Sequence, residues 1–226
     1  MNLKKWILAA AACLVLLAGA FFVIEPPPAP AIQWPNPNGY DDLIKAAAMI
    51  VGQKPDCNFD NEGCVEEWKA FLETNSEAIK LARVGLTRES RVRMDLFDYF
   101  SASTLLAWIL QAEGQVAEKE NRSDDAIRSY IDLIRLGQQL RGGAMISAIR
   151  GYAFESLGFV PLQEMTRQMT EEQRKQVVTN LTQLYVNRET FDEVMAMERS
   201  ENRREKTLRE RFSNLRYYFA GREAAR

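Results

Sequence analysis

From Tyr40 onward the apolar residues recur at i, i+3, i+4 and i+7, with almost no period-2 alternation of β-branched residues. That periodicity restricts the chain to an all-α fold. It predicts a first helix from Tyr40 to Val51, with Asp41 and Asp42 at the positive end of its dipole and a stop at Gly52. Val65 to Glu73 and Asn75 to Leu86 read as two further segments or one continuous helix, and a long helix follows from Val92 to Lys119. The next is expected from Ser123, as N-cap, to Leu140, ended by Arg141-Gly142-Gly143. Ala144 to Met169 should be helical with a kink or break near Pro161, because proline lacks the backbone donor and crowds the preceding turn. Thr170 and Gln173 form a capping box opening a helix expected to reach Arg199.

Ahead of this domain lies an uncharged run from Trp6 to Ile24. As a helix it would cover about 28 Å, close to the hydrocarbon thickness of a bilayer. Lys4 and Lys5 precede it and only Glu25 and prolines follow, which places the N-terminus in the cytoplasm and the rest outside. A cleaved signal peptide is the alternative, since Ala18-Gly19-Ala20 has the form of a cleavage site, although Phe21 to Ile24 continue the apolar run beyond it. A lipoprotein box at Cys13 is a weaker fit still, with a largely apolar stretch where a polar tether belongs. Every version exports the same domain. Residues 25–38 hold six of the eight prolines and favour an extended spacer. The expected organisation is an anchor or signal segment (1–24), a Pro-rich linker (25–38), a helical domain (39–198) and a charged C-terminal helix or tail (199–226). That tail carries nine Lys/Arg against five Asp/Glu from Glu198 onward. It reads as a solvated helix laced with i,i+4 pairs, or as a partner-binding helix docked by Tyr217, Tyr218 and Phe219.

Chemistry is constrained by what is missing. The chain contains no histidine, so Ser/His/Asp triads, Cys/His dyads and His-ligated zinc are excluded. Lys plus Arg total 29 against 31 Asp plus Glu, a balance that gives no electrostatic reason to expect nucleic acid as a partner. Carboxylate-only, lysine-based and metal-carboxylate chemistry pass that filter.

Cys57 and Cys64 fall in a loop on the side expected to be oxidising and are candidates for a disulfide. The same loop places Asp56, Asn58, Asp60, Glu62 and Glu67 at relative positions 1, 3, 5, 7 and 12, the ligand spacing of an EF-hand calcium loop. Asn61 replaces the glycine at position 6 and Gly63 the aliphatic at position 8, and no second hand is visible. An acidic, disulfide-closed connector is the preferred reading of the loop. No other cofactor is expected. The acid pairs Asp41-Asp42, Glu66-Glu67, Asp124-Asp125 and Glu171-Glu172 each lie where a helix is expected to begin, which fits helix dipoles better than glycosidase carboxylates. Trp68, Phe71, Phe97, Phe100 and Trp108 recur at helical spacing and read as core. Arg141-Gly142-Gly143 reads as a helix stop before an anion-binding turn.

Gly114, Ala126 and Tyr130 fall at the small, small and aromatic positions of a tetratricopeptide unit, which the hairpin Leu105–Lys119 and Ser123–Leu140 partly resembles. Glu113, Ala117 and Gln138 depart from its leucine, aromatic and proline. Glu77-Ala78-Ile79-Lys80 faintly echoes Asp125-Ala126-Ile127-Arg128. Through Asn36-Pro37-Asn38-Gly39-Tyr40-Asp41-Asp42, Glu120-Asn121-Arg122, Ile134-Arg135-Leu136-Gly137 and Arg141-Gly142-Gly143, the chain resembles a group of membrane-anchored helical proteins of planctomycete bacteria. The resemblance implies fold and location and carries no active site. The expectation is a non-enzymatic, single-pass membrane protein, held through residues 6–24, whose extracytoplasmic helical hairpins bind a protein partner in the envelope. The rivals are a carboxylate-dependent hydrolase of envelope glycans, using acids such as Glu113 or Glu155, and a calcium-dependent structural protein.

Overall fold

The computed structural model describes residues 33–57, 59–92, 97–141, 145–186 and 188–202. Among these residues it contains eight helices and no strand: α1 Gly39–Ala48, α2 Glu62–Thr74, α3 Ser76–Leu86, α4 Phe97–Lys119, α5 Ser123–Arg141, α6 Met145–Met165, α7 Glu171–Val186 and α8 Phe191–Asn202. The fold is all-α. No helix among the described residues is long and apolar enough to cross a membrane, and the expected anchor, residues 6–24, lies outside them.

α1 stops at Ala48 rather than Val51. The cause is Asn75, whose side chain accepts from the Val51 N–H at 2.8 Å and donates to the Val51 carbonyl at 3.1 Å. With both of its polar groups taken across the fold, Val51 has none to give a further helical turn. The same amide donates to the Phe71 carbonyl, and Asn75 (2 % exposed) marks the junction that divides α2 from α3. Val92, expected to open α4, is buried outside the helix, which is described from Phe97; residues 93–96 lie outside the described set.

Ser123 is not the N-cap of α5. The Arg122 carbonyl accepts the first helical bond, from Ala126 at 3.1 Å, so the cap sits one residue earlier. Asn121 reverses the chain there with φ of 58°, and Arg122 fastens the turn by donating its N–H to the Ala117 carbonyl. α6 runs unbroken through Pro161. The carbonyl deprived of a donor there belongs to Leu157, on the solvent-facing side of the helix, where solvent can satisfy it.

The Thr170 capping box is formed: Thr170 N–H donates to Gln173 Oε1 at 2.9 Å, and Gln173 N–H to Thr170 Oγ1 at 3.2 Å. The helix it opens ends at Val186 instead of Arg199, because a second box interrupts it. Thr190 N–H donates to Glu193 Oε2 at 2.7 Å and Glu193 N–H to Thr190 Oγ1 at 3.3 Å, which starts α8.

α5 is the central helix, antiparallel to α4 on one side and to α6 on the other. Against α4, Gly114 lies under the Tyr130 ring, and an added Cβ there would collide with it. Against α6, Gly137 and Gly151 bring the two backbones together; a Cβ on Gly137 would stand 2.5 Å from the Gly151 carbonyl oxygen. Leu43, Leu106, Leu110, Leu133 and Leu136 join α1, α4 and α5 in one apolar cluster, while Tyr130, Ile134, Leu162 and Val177 join α5, α6 and α7 in another. A third, around Trp68, Phe71 and Ile109, seats α2 on α4. Of the aromatics expected in the core, Trp68 and Phe71 are buried but Trp108 is not: it is 44 % exposed, with the Lys54 ammonium 4.8 Å from its ring centroid. The side chains of Phe97 and Phe100 lie outside the described set.

Partly buried charge links the same helices. The Arg83 guanidinium meets Glu113 at 2.5 Å and Asp132 at 3.0 Å, and Ser129 Oγ donates to Glu113 at 2.9 Å. Through Glu113, an arginine from α3 is tied to α4.

Candidate functional site

α7 stands off from α5 and α6 at its C-terminal end and leaves a cleft of about 420 Å³. Its walls are apolar: Ile134 from α5, Phe159 from α6, and Val178, Leu181 and Tyr185 from α7. Phe159, Val178 and Tyr185 are 41 %, 63 % and 71 % exposed, so large apolar surface stands open at the rim. Gln138, Glu155, Thr182 and Arg188 supply the polar groups.

Among the described residues, Glu155 is the sole carboxylate lining the cleft, and two arginines hold it. Arg141 Nη1 lies 3.3 Å from one of its oxygens and Arg188 Nη2 3.4 Å from the other. Both guanidinium groups also lie over the Tyr152 ring, at 4.6 and 5.2 Å from its centroid. Arg141 is itself buried and donates through Nη2 to the Glu189 carbonyl at 3.0 Å, which fixes the chain between α7 and α8 against the end of α5. The arginine expected to stop α5 does end that helix, and its head group binds the next helix and the interhelical connection instead of forming an anion turn. Gly142 and Gly143 lie outside the described residues.

Glu189, beside this cluster, was not legible as special in the sequence. Burial pushes its carboxyl up to about 7, against the pull of Arg91 and Arg141 and with a small contribution from Glu193. Its nearest cation, Arg91, is 3.9 Å away, and one carboxyl oxygen has no hydrogen-bond partner. The two acids that a glycosidase would need across one cleft are not brought together here. Glu113 belongs to the Arg83 cluster, and Glu189 is not among the groove residues.

Cys57 and Cys64 are joined in a disulfide with a Cα–Cα separation of 5.6 Å. Asn61, at the sixth position of the calcium-loop spacing, caps α2 by accepting from the Gly63 N–H at 3.1 Å, and Glu62 at the seventh already belongs to that helix. Glu67 therefore stands within α2 rather than at the close of a loop, exposed like Asp56 and Asp60. Asn58 and the Glu62 side chain lie outside the described set; among the described residues no group of three or more metal-binding side chains converges. The acid pairs divide similarly. Asp41-Asp42, Asp124-Asp125 and Glu171-Glu172 lie in first turns, whereas Glu66-Glu67 falls in the body of α2 because that helix starts earlier than expected. Asp42 does more than face a dipole, since it is buried against Arg88 at 2.5 Å.

No known protein family, no curated protein and no solved structure matches this chain.

Proposed function

We propose that this chain is a membrane-anchored, extracytoplasmic interaction module whose α5–α6–α7 groove takes an apolar segment of an envelope protein. The observation that carries the reading is the open apolar groove, in which Glu155 is held as an ion pair by two arginines. Binding sites for protein segments combine such exposed aromatic and aliphatic surface with a few fixed polar groups. The tetratricopeptide-like character of the α4–α5 hairpin, with Gly114 packed under Tyr130 and Ala126 fully buried, supports a scaffold of this kind by analogy of fold. Placement outside the cytoplasm draws support from the Cys57–Cys64 disulfide together with Lys4, Lys5 and the apolar run 6–24.

The test is capture of the full-length protein from its native membranes, with crosslinking and mass spectrometry, beside a Val178→Asp/Tyr185→Asp variant. Both positions are exposed, so the fold should persist, as circular dichroism would check. Partner peptides crosslinked to α7 in the parent and lost in the variant would support the groove. The same partners in both would overturn it, and crosslinks abolished by calcium chelation alone would move the site to the Asp56–Glu67 loop.

A further inference from the structure

α6 is apolar around most of its circumference. Between Arg150 and Glu164 its only charged residue is Glu155, and that one is buried against Arg141 and Arg188. A helix of this composition belongs between two packed layers, and α5 supplies one of them. On the side turned away from α5, Ile146, Ile149 and Val160 are 52 %, 58 % and 55 % exposed, Leu157 is 37 % exposed, and Ala153 lies exposed between them. Phe159 and Glu155 lie on another side, toward the groove, so this seam is a separate surface.

We infer that the seam is the contact between two copies of this chain, paired antiparallel through α6 about a twofold axis at Ala153. The spacing selects the occupant. Ile149 and Leu157 stand four residues to either side of Ala153, and Ile146 and Val160 seven, so the seam reads alike from both ends. An isologous contact demands that property, because residue i must meet residue j wherever j meets i. Turning one α6 over on the other sets Ile149 against Leu157 and Ile146 against Val160, twice each, with Ala153 against its own mate. The small side chain at the centre lets the axes approach to about 8 Å, the close end of the range for packed helices. A partner of unrelated sequence would give the seam no reason to be symmetric.

Charge and area fit the same pairing. The paired stretch runs from Met145 to Pro161 of each copy, within α6, and Glu164 and Arg167 lie past its end. Arg150, beside the seam, donates to Thr104 Oγ1 at 3.1 Å, which turns its head toward α4. Pro161 also stands beside the seam rather than in it, so the Leu157 carbonyl that it leaves without a donor remains at the rim. The exposed surface of the five seam residues amounts to about 400 Å² per copy, and with Ser156 and part of Tyr152 along one flank the pair covers about 1,000 Å², the size at which specific protein contacts begin.

The experiment traps the pair in the full-length protein in its native membranes, by mild oxidation, with peptide mass spectrometry to tell apart any bond through Cys13. Three variants are compared: Ala153→Cys, Ile146→Cys, and Ile146→Cys combined with Val160→Cys. The expected result is an interchain 153–153 disulfide at several-fold the yield of 146–146, whose thiols the antiparallel pair holds about 21 Å apart along the axis. The double variant should give an interchain 146–160 bond, which cannot form inside one chain because the same helix separates those positions by about 21 Å. Adding Ile149→Arg to Ala153→Cys should cut the 153–153 yield several-fold, without a change in circular dichroism, since position 149 is exposed. Equal trapping at 146 and 153 would overturn the proposal, as would 153–153 trapping that Ile149→Arg leaves unchanged. A thiol at position 153 that forms no interchain bond, whether it reacts freely with maleimide or is shielded by another occupant, would overturn it as well.

Discussion

Glu189 carries a proton more tightly in the folded chain than in the unfolded one, where its carboxyl titrates near 4.5. The folded state therefore binds more protons between about 4.5 and 7, and stability falls as pH rises across that window. Its neighbours moderate but do not reverse the effect, since Arg91 stands 3.9 Å off and Arg141 has its head group committed to Glu155 and the Glu189 backbone. Glu189→Gln should leave stability at pH 5 nearly unchanged and raise it at pH 8, by at most about 3 kcal/mol. Denaturant melts of the two proteins at both pH values would check this, and parallel pH profiles would refute it. Nothing in the local sequence Arg188-Glu189-Thr190 distinguishes this glutamate from exposed ones. Its setting beside Arg91 and Arg141 brings together residues distant along the chain.

Among the helices, some of the chemistry complete within a few residues was readable. The Thr170 and Gln173 box is formed, and Thr190 with Glu193 has the same legible pattern, although the periodicity of one long helix obscured it. Removing that cap by Thr190→Ala should cost about 1 kcal/mol, with α8 amides exchanging faster by hydrogen exchange while those of α5 stay protected. Helix ends decided by distant groups were not readable. α1 is cut short by Asn75 acting on Val51. The start of α2 was missed for another reason: its Asn61 cap is local, but the spacing of acids there suggested a loop.

Across the described residues, arginines act as fasteners between helices. Arg83 joins α3 to α4 and α5, and Arg141 joins α5 to α6 and to the connection before α8. Arg83→Met should destabilise the chain by about 2 kcal/mol, because it leaves Glu113 without its cation in a partly buried setting and Asp132 with Arg135 alone. A double variant with Glu113→Leu should recover part of that loss in the same melts, whereas an unchanged deficit would mean that Arg83 acts through packing alone. The all-α class was settled by the period of the apolar residues, the start of α7 by its Thr170–Gln173 box, and the exclusion of histidine chemistry by composition, all of which act within a few residues or need no geometry. Only the tertiary structure decided which glycines let α5 and α6 touch, that Glu113 and Glu155 serve arginines, and that α7 leaves an apolar groove. Each of these depends on which helix faces meet, and a periodic pattern gives every helix an apolar side without naming its neighbour.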